Sequence, residues 1–332
     1  MRFVPLFLLG LLLGVAGSVC VHWYLYGPFL QPSHERNPSI AGHALTIPAD
    51  AATAESPYPY RWPDDGPTPE QVFLDQPALL DRAIDHLRAQ TPGQVDLYLL
   101  AFAGDGDEDV FRNEVEYAAR LFAQRFDAKS RTLVLANNPS TLQTTPLATW
   151  SNLETALRRL ATIMDPAEDI LFLYATSHGS ADHYLSVVMD PLPLDSISAE
   201  DLAEILAGQP FRWKVVVVNA CYSGGFIPYL QGDGTLLLTA SSADRTSFGC
   251  GSESQITWFG DALLAHAFNA NDDFIDAFAQ ARAKVASWEQ RDDLEPSDPQ
   301  IDIGAGIRDQ LARWRAGIMP GPPLPFDGET TP

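Results

Sequence analysis

Val215-Val216-Val217-Val218-Asn219-Ala220-Cys221-Tyr222-Ser223-Gly224 is an unbroken apolar run that ends on a small residue, a cysteine and a glycine-containing turn. A short run without polar alternation, bounded by turn residues, reads as a strand covered on both faces. A second stretch has the same design: Ile170-Leu171-Phe172-Leu173-Tyr174-Ala175-Thr176-Ser177-His178-Gly179 leaves a buried strand onto a histidine and a glycine. In open parallel sheets, ligands sit beyond the carboxyl ends of the strands. The two runs therefore predict that His178 and Cys221 face one crevice.

Outward from these runs the pattern is regular. Strands are expected at 95–103, 132–136, 170–176, 213–219 and 235–240, with a short hairpin strand at 184–189. Helices are expected at 107–126, 148–164, 199–206, 257–269 and 273–290, and one more at 302–315. Strand and helix alternate, and the strands are continuously apolar, so both faces of the sheet must be covered by helices. The fold class is α/β, a three-layer sandwich with a mostly parallel central sheet. The organisation reads as an N-terminal membrane anchor or signal peptide at 1–26, a proline-rich spacer at 27–92 with a candidate helix at 69–88, a catalytic domain at 93–290, and an acidic C-terminal extension with a Pro/Gly tail at 291–332.

With 332 residues, 46% of them hydrophobic, the chain can bury one substantial core. Its formal charge of -22 repels phosphate backbones and anionic headgroups, so nucleic acid is not an expected partner. Three cysteines, Cys20, Cys221 and Cys250, are too few for a disulfide framework and lack the paired spacing of a zinc site. No metal centre or other cofactor is indicated.

Arg2 precedes an apolar run from Phe3 to about Tyr26, close to the length needed to cross a bilayer, with Trp23, Tyr24 and Tyr26 at its end as interface residues. An uncleaved anchor with the catalytic domain outside the cytoplasm is the preferred reading. A cleaved signal peptide is the competing one, because Ala16-Gly17-Ser18 has the small-residue spacing of a cleavage site. Val19 is too large for the usual lipidation of the following Cys20.

The chemistry suggested by the two strand ends is nucleophilic. Cysteine reacts as its thiolate, and a neighbouring histidine both lowers the thiol pKa and protonates a leaving amine. Singly, His178 reads as a turn residue and Cys221 as a small core hydrophobe. Together, at matching positions and crowded by glycines, they read as a catalytic pair.

Ser177-His178-Gly179 followed by Asn219-Ala220-Cys221-Tyr222-Ser223-Gly224 resembles the His-Gly and Ala-Cys signature of caspase-like cysteine peptidases, and most closely the legumain (C13) branch. Thr239 to Cys250 is similar to the legumain segment lining the primary specificity pocket, and Gly260-Asp261 to a Gly-Asp pair shortly after it. The resemblance implies a cysteine endopeptidase cleaving after asparagine or aspartate. In it, Cys221 attacks the scissile carbonyl, His178 acts as general acid/base, and the N–H groups of Gly179 and Cys221 form the oxyanion hole. A side chain at 179 would crowd the approaching carbonyl. The resemblance further implies Arg112, Thr246, Ser247 and Asp261 as the substrate-binding pocket, and a polypeptide as the partner. A transamidase using the same acyl-enzyme and a silent caspase-like binding module are the alternatives.

Two positions depart from the family pattern. Tyr222 stands where legumains place an acidic pocket residue, and Asp109 or Val110 falls where an asparagine usually orients the histidine. Other features have plainer readings. The acidic stretch Asp105-Gly106-Asp107-Glu108-Asp109 lacks the glycine of a calcium loop and reads as a solvated helix start. His183 and His266 read as structural or exposed, and Cys250 as a buried small residue.

Overall fold

Six strands in the order β2-β1-β3-β6-β7-β8 form the central sheet of the computed structural model, in which residues 62–326 are described. They are β1 (Leu97–Ala103), β2 (Thr132–Ala136), β3 (Ile170–Thr176), β6 (Trp213–Asn219), β7 (Thr235–Thr239) and β8 (Gln300–Ile303). The first five are parallel; β8 joins β7 antiparallel at the edge. A two-stranded ribbon, β4 (Tyr184–Leu185) with β5 (Ile197–Ser198), lies between β3 and β6 in the chain.

Because side chains alternate across a strand, the apolar runs feed two cores. Leu99, Phe172, Tyr174, Val215 and Val217 face one layer, built with α2 (Asp109–Arg125), α5 (Phe274–Arg291) and α6 (Ile307–Gly317). Leu100, Leu171, Leu173, Val216 and Val218 face the other, built with α1 (Pro69–Asp85), α3 (Trp150–Ile163) and α4 (Ala199–Ala207). This is the three-layer sandwich with a mostly parallel central sheet expected from the strand pattern, and it is consistent with the caspase-like fold that the resemblance implies.

Local signals explain the helix starts. Thr68 and Gln71 form a capping box ahead of α1, Ser198 and Asp201 another ahead of α4, and Thr149 caps α3. The helix expected at 257–269 is instead three pieces end to end: Trp258–Gly260, a π-helical Asp261–Ala267 and Phe268–Ala270. Its start is shaped around a carboxylate described below.

The C-terminal part differs most from expectation. Residues read as an extension beyond 290 supply β8 and α6, and Ile307, Leu311 and Trp314 are buried in the first core. Asp302, expected to open a helix, sits in β8, where Ile301 and Ile303 alternate with polar residues and pack on that core. The expected anchor at 1–26 and most of the spacer lie outside the described residues. Among the described residues, no helix is long and apolar enough to cross a membrane.

Candidate active site

Thr176 and Asn219 are partners in the parallel register of β3 and β6. His178 and Cys221 each follow two residues later, so both leave the sheet at the same level from adjacent strands. Both are partly exposed. The His178 ring meets Phe111 edge-on at 5.1 Å, which holds one side of the imidazole against an apolar surface.

The Cys221 sulfur is strongly perturbed. Its pKa is drawn down to about 5, first by a hydrogen bond from the Cys250 thiol, then, against the opposing effect of burial, by the Ser247 N–H and hydroxyl and by the His178 charge. The Ser247 N–H lies 3.3 Å from the sulfur and its hydroxyl 3.7 Å. The Cys250 thiol is pushed the other way, chiefly because it donates to Cys221 and then because it is buried. At neutral pH this arrangement holds a Cys221 thiolate beside a Cys250 thiol.

Gly179 packs directly on the Cys221 backbone: a Cβ built at 179 would lie 2.1 Å from the Cys221 carbonyl oxygen and 3.0 Å from the Ala220 Cβ. The glycine is therefore required first by the approach of β3 to β6, and not only by room for an incoming carbonyl. Among the described residues, no carbonyl accepts from the N–H of Gly179 or of Cys221. These two donors are free to bind an anionic oxygen.

The turn after Cys221 is clamped from three directions. Tyr222 has φ 58°, a left-handed conformation that costs a tyrosine free energy. It is held there by its N–H donating to the Arg245 carbonyl at 2.7 Å and by its carbonyl meeting His183 Nδ1 at 3.2 Å. Ser223 and Ser241 exchange hydrogen bonds, each hydroxyl accepting from the other's N–H at 3.1 Å. The loop carrying Ser247 is anchored in turn by the C-terminal segment: the Ser242 N–H donates to the Ser297 carbonyl, and Arg245 donates to Glu295 and to the Pro296 carbonyl. His183 is thus structural, as expected.

The acidic stretch before α2 is only partly solvated. Asp105 is buried, lying just beyond β1 where the Gly104 N–H donates to the Thr176 carbonyl. Burial pushes the Asp105 carboxyl up, and the Asp107 N–H and the His178 charge pull it back. Burial likewise raises Glu108, opposed by His178, and its Oε2 is buried without a partner. The His178 charge lowers the carboxyls of Asp105, Asp107 and Glu108 alike, against the burial that raises each. The two positions named from the family pattern behave differently: Asp109 accepts from Asn138 at 2.7 Å and pairs with Arg112, and Val110 is buried in the core.

Beneath the strand ends lies a buried carboxylate the sequence did not reveal. Glu114, on α2, accepts from the Tyr174 hydroxyl at 2.8 Å, the Asn219 amide at 2.6 Å, and the Thr257 hydroxyl and N–H at 2.6 and 3.1 Å. Burial raises its pKa, and the Thr257 hydroxyl is the first of the hydrogen bonds lowering it. A Cβ on Gly260 would come to 2.0 Å from Glu114 Oε2, so that glycine makes room for the carboxylate. Asn219 is two residues before Cys221, so the network fixes the strand end that presents the sulfur. A glutamate at one buried step of an amphipathic helix was the only sequence signal, and it is indistinguishable from a surface residue without the fold.

The remaining pocket candidates divide. Ser247 contacts the Cys221 sulfur, and Thr246 beside it is exposed. Arg112 pairs with Asp109 at 3.1 Å and Glu116 at 3.9 Å, leaving its Nε buried without a partner. Asp261 lies 3.6 Å from His266, and burial raises its pKa against the charges of His266 and Lys284. Neither Arg112 nor Asp261 makes a hydrogen bond or ion pair with Cys221, Thr246 or Ser247. Cys250, expected as a buried small residue, is instead partly exposed and touches the nucleophile candidate.

Residues 151–307 match the model of the Peptidase C13 family, a span that includes His178, Cys221, Cys250 and Asp261 but not Arg112. No curated protein matches the chain.

Proposed function

We propose, for a chain whose residues 151–307 belong to the legumain-like Peptidase C13 family and which therefore has cysteine peptidase or transamidase-type chemistry, that it is an endopeptidase working through Cys221 and His178. The observation that carries this reading is the shared strand-end level of the two residues, with a sulfur whose pKa is drawn down to about 5. The Cys221 thiolate attacks the scissile carbonyl carbon, and the oxygen takes up negative charge toward the Gly179 and Cys221 N–H groups. As the tetrahedral species collapses, the C–N bond breaks and His178 delivers a proton to the departing amine. Water, deprotonated by the same imidazole, then attacks the thioester and releases the acid, regenerating the thiolate.

Arg112, Thr246, Ser247 and Asp261 are proposed to line the pocket for the residue before the cut. Ser247 is supported by its contact with the sulfur, and Arg112 by its unpartnered Nε. These groups suit a small polar or acidic side chain such as asparagine or aspartate. Tyr222 supplies no charge, so the discrimination between the two rests on Arg112 and Asp261.

The test is a peptide-library digest of the full chain beside a Cys221→Ala control, with an added amine nucleophile in a second arm. Cleavage after small polar or acidic residues, lost in the control, is expected. Ligated product in place of acid would assign transamidation; cleavage confined to basic residues, or persisting in the control, would overturn the residue roles. The apolar N-terminal run further supports anchoring the catalytic domain on the far side of a membrane, which protease protection of the domain in sealed vesicles tests.

A further inference from the structure

Glu289 is a buried side chain that the acyl transfer just described does not use. It stands two residues before the end of α5, is 2% exposed, and gathers the chain that follows it. Its carboxylate accepts from the Ser297 N–H at 2.8 Å and from the Ser297 hydroxyl, and its own carbonyl accepts from the Leu294 N–H at 2.9 Å. The turn so enclosed is sharp at both ends, where Asp293 and Asp298 hold left-handed backbone at φ 55° and 51°. Arg245 and Arg282 line one cavity with Glu289, yet they pair with Glu295 and Asp298. A buried carboxylate needs its donors, so the segment at Ser297 cannot lift away without leaving Glu289 unsatisfied.

From Ser297 a continuous set of hydrogen bonds reaches the reactive sulfur. The Ser297 carbonyl accepts from the Ser242 N–H at 2.9 Å, which fixes the start of the loop after β7. Arg245 in that loop donates to Glu295 at 2.8 Å and to the Pro296 carbonyl at 3.0 Å. The Arg245 carbonyl accepts from the N–H of Tyr222, the residue after Cys221, at 2.7 Å. Two residues on, the Ser247 N–H lies 3.3 Å from the Cys221 sulfur. The far end of the loop rests on the neighbour of Glu289. Trp288 meets the Trp258 ring edge-on at 5.9 Å, and Trp258 packs on Phe248 at 5.3 Å. The Trp258 N–H donates to the Phe248 carbonyl at 3.1 Å, just before a left-handed turn at Gly249 with φ 78°. Consecutive residues of α5 therefore hold both ends of the stretch that carries Ser247.

We propose that Glu289 is a positioning residue for the nucleophile, acting through Ser297 to keep the Ser247 N–H on the Cys221 sulfur. The proposal rests on the role given above to Cys221. An N–H directed at the sulfur favours its anionic form, so a loop released from Ser297 makes the thiol harder to ionise. Of the other groups that act on the sulfur, Cys250 belongs to the same stretch of chain and His178 to the end of β3. The His178 contribution stays when the loop shifts, so ionisation is weakened and not abolished.

The test is the pH profile of iodoacetamide labelling at Cys221 in the full chain, read by peptide mapping so that Cys20 and Cys250 are counted apart, beside urea unfolding of each variant. Glu289→Met keeps an unbranched side chain of similar size and removes the acceptor. Its labelling midpoint is expected to rise by about one pH unit above that of the wild type. Glu289→Gln retains an acceptor oxygen and should stay closer to the wild type. Trp314 stacks on Phe274 at the opposite end of α5. Trp314→Ala should therefore unfold in less urea yet keep the wild-type midpoint, so lost stability alone does not move the readout. Ser297→Ala removes only the hydroxyl half of the contact and should give a smaller rise, which decides the matter if Glu289→Met does not fold. A folded Glu289→Met with an unmoved midpoint, an unmoved Ser297→Ala where Glu289→Met does not fold, or an equal rise in Trp314→Ala would overturn the proposal. The expected shifts in a chain that cuts no peptide sink the peptidase reading alone; cleavage at Cys221 with unmoved midpoints sinks only this inference.

Discussion

The α-carbon of Gly179 lies so close to Cys221 that a methyl group there would stand 2.1 Å from the Cys221 carbonyl oxygen. Both partners in that contact are backbone, so neither side can rotate away. Gly179→Ala is therefore expected to separate the ends of β3 and β6 and misplace the two N–H donors. A loss of about 100-fold in peptide cleavage, the scale of one oxyanion donor, is expected in a chain that keeps its circular dichroism spectrum. Wild-type turnover by this variant would show that the two N–H groups do not act together.

The Cys221 sulfur should alkylate as a thiolate well below neutrality. A thiol whose pKa is lowered to about 5 is mostly anionic above that pH, so the iodoacetamide rate should be flat near pH 7 and fall as pH drops through about 5. Cys250→Ala removes the largest cause of the lowering, so its midpoint should move up toward the ordinary thiol value of about 8.5. Ser247→Ala removes only the hydroxyl and keeps the N–H, so its shift should be smaller. An unchanged midpoint in Cys250→Ala would assign the lowering to Ser247 and His178 instead.

Glu114 gathers donors from three elements, and truncating it takes an acceptor from each. Glu114→Ala leaves the Tyr174 hydroxyl and the Thr257 N–H without the acceptor they use in a sealed site, and leaves the Asn219 amide only its hydroxyl partners on Tyr174, Thr176 and Thr257, with an expected loss of about 3 kcal/mol in urea unfolding. Glu114→Gln keeps an acceptor oxygen and should lose less. Equal loss in both variants would mean that the charge, rather than the acceptor geometry, is what the site needs.

The C-terminal helix belongs to the core. Trp314 is 1% exposed and packs on Phe274 with ring centroids 5.0 Å apart and on Phe126 at 5.9 Å. Trp314→Ala should cost about 3–5 kcal/mol, the range for emptying a large aromatic site. A chain ending at 290 should fail to give a cooperative thermal transition; a normal one would show that β8 and α6 are dispensable.

What could be read from the sequence was whatever depends on a long local pattern. β3 and β6 fall where the uninterrupted apolar runs place them, and the residues two steps beyond each follow from parallel pairing alone. Cys250 was misjudged because its contact is made through a turn whose direction is set by Gly249 and by packing on Trp258, neither of which leaves a periodic trace. β8 was missed because an edge strand of four residues, with isoleucines alternating with polar groups, follows an acidic proline-containing segment and carries too few residues to outweigh the helical pattern beyond it. Asp105 looked like part of a solvated run, and only the closure of β1 against β3 buries it.

The anchoring of the Ser247 loop by residues 295–297 has a consequence for the order of biogenesis. The strands bearing His178 and Cys221 leave the ribosome long before the segment that fastens the loop holding Ser247 and Cys250 to the sulfur. The contacts of Ser242 and Arg245 with residues 295–297, which fasten the loop that holds Ser247 against the sulfur, can therefore form only after Ser297 has been synthesised.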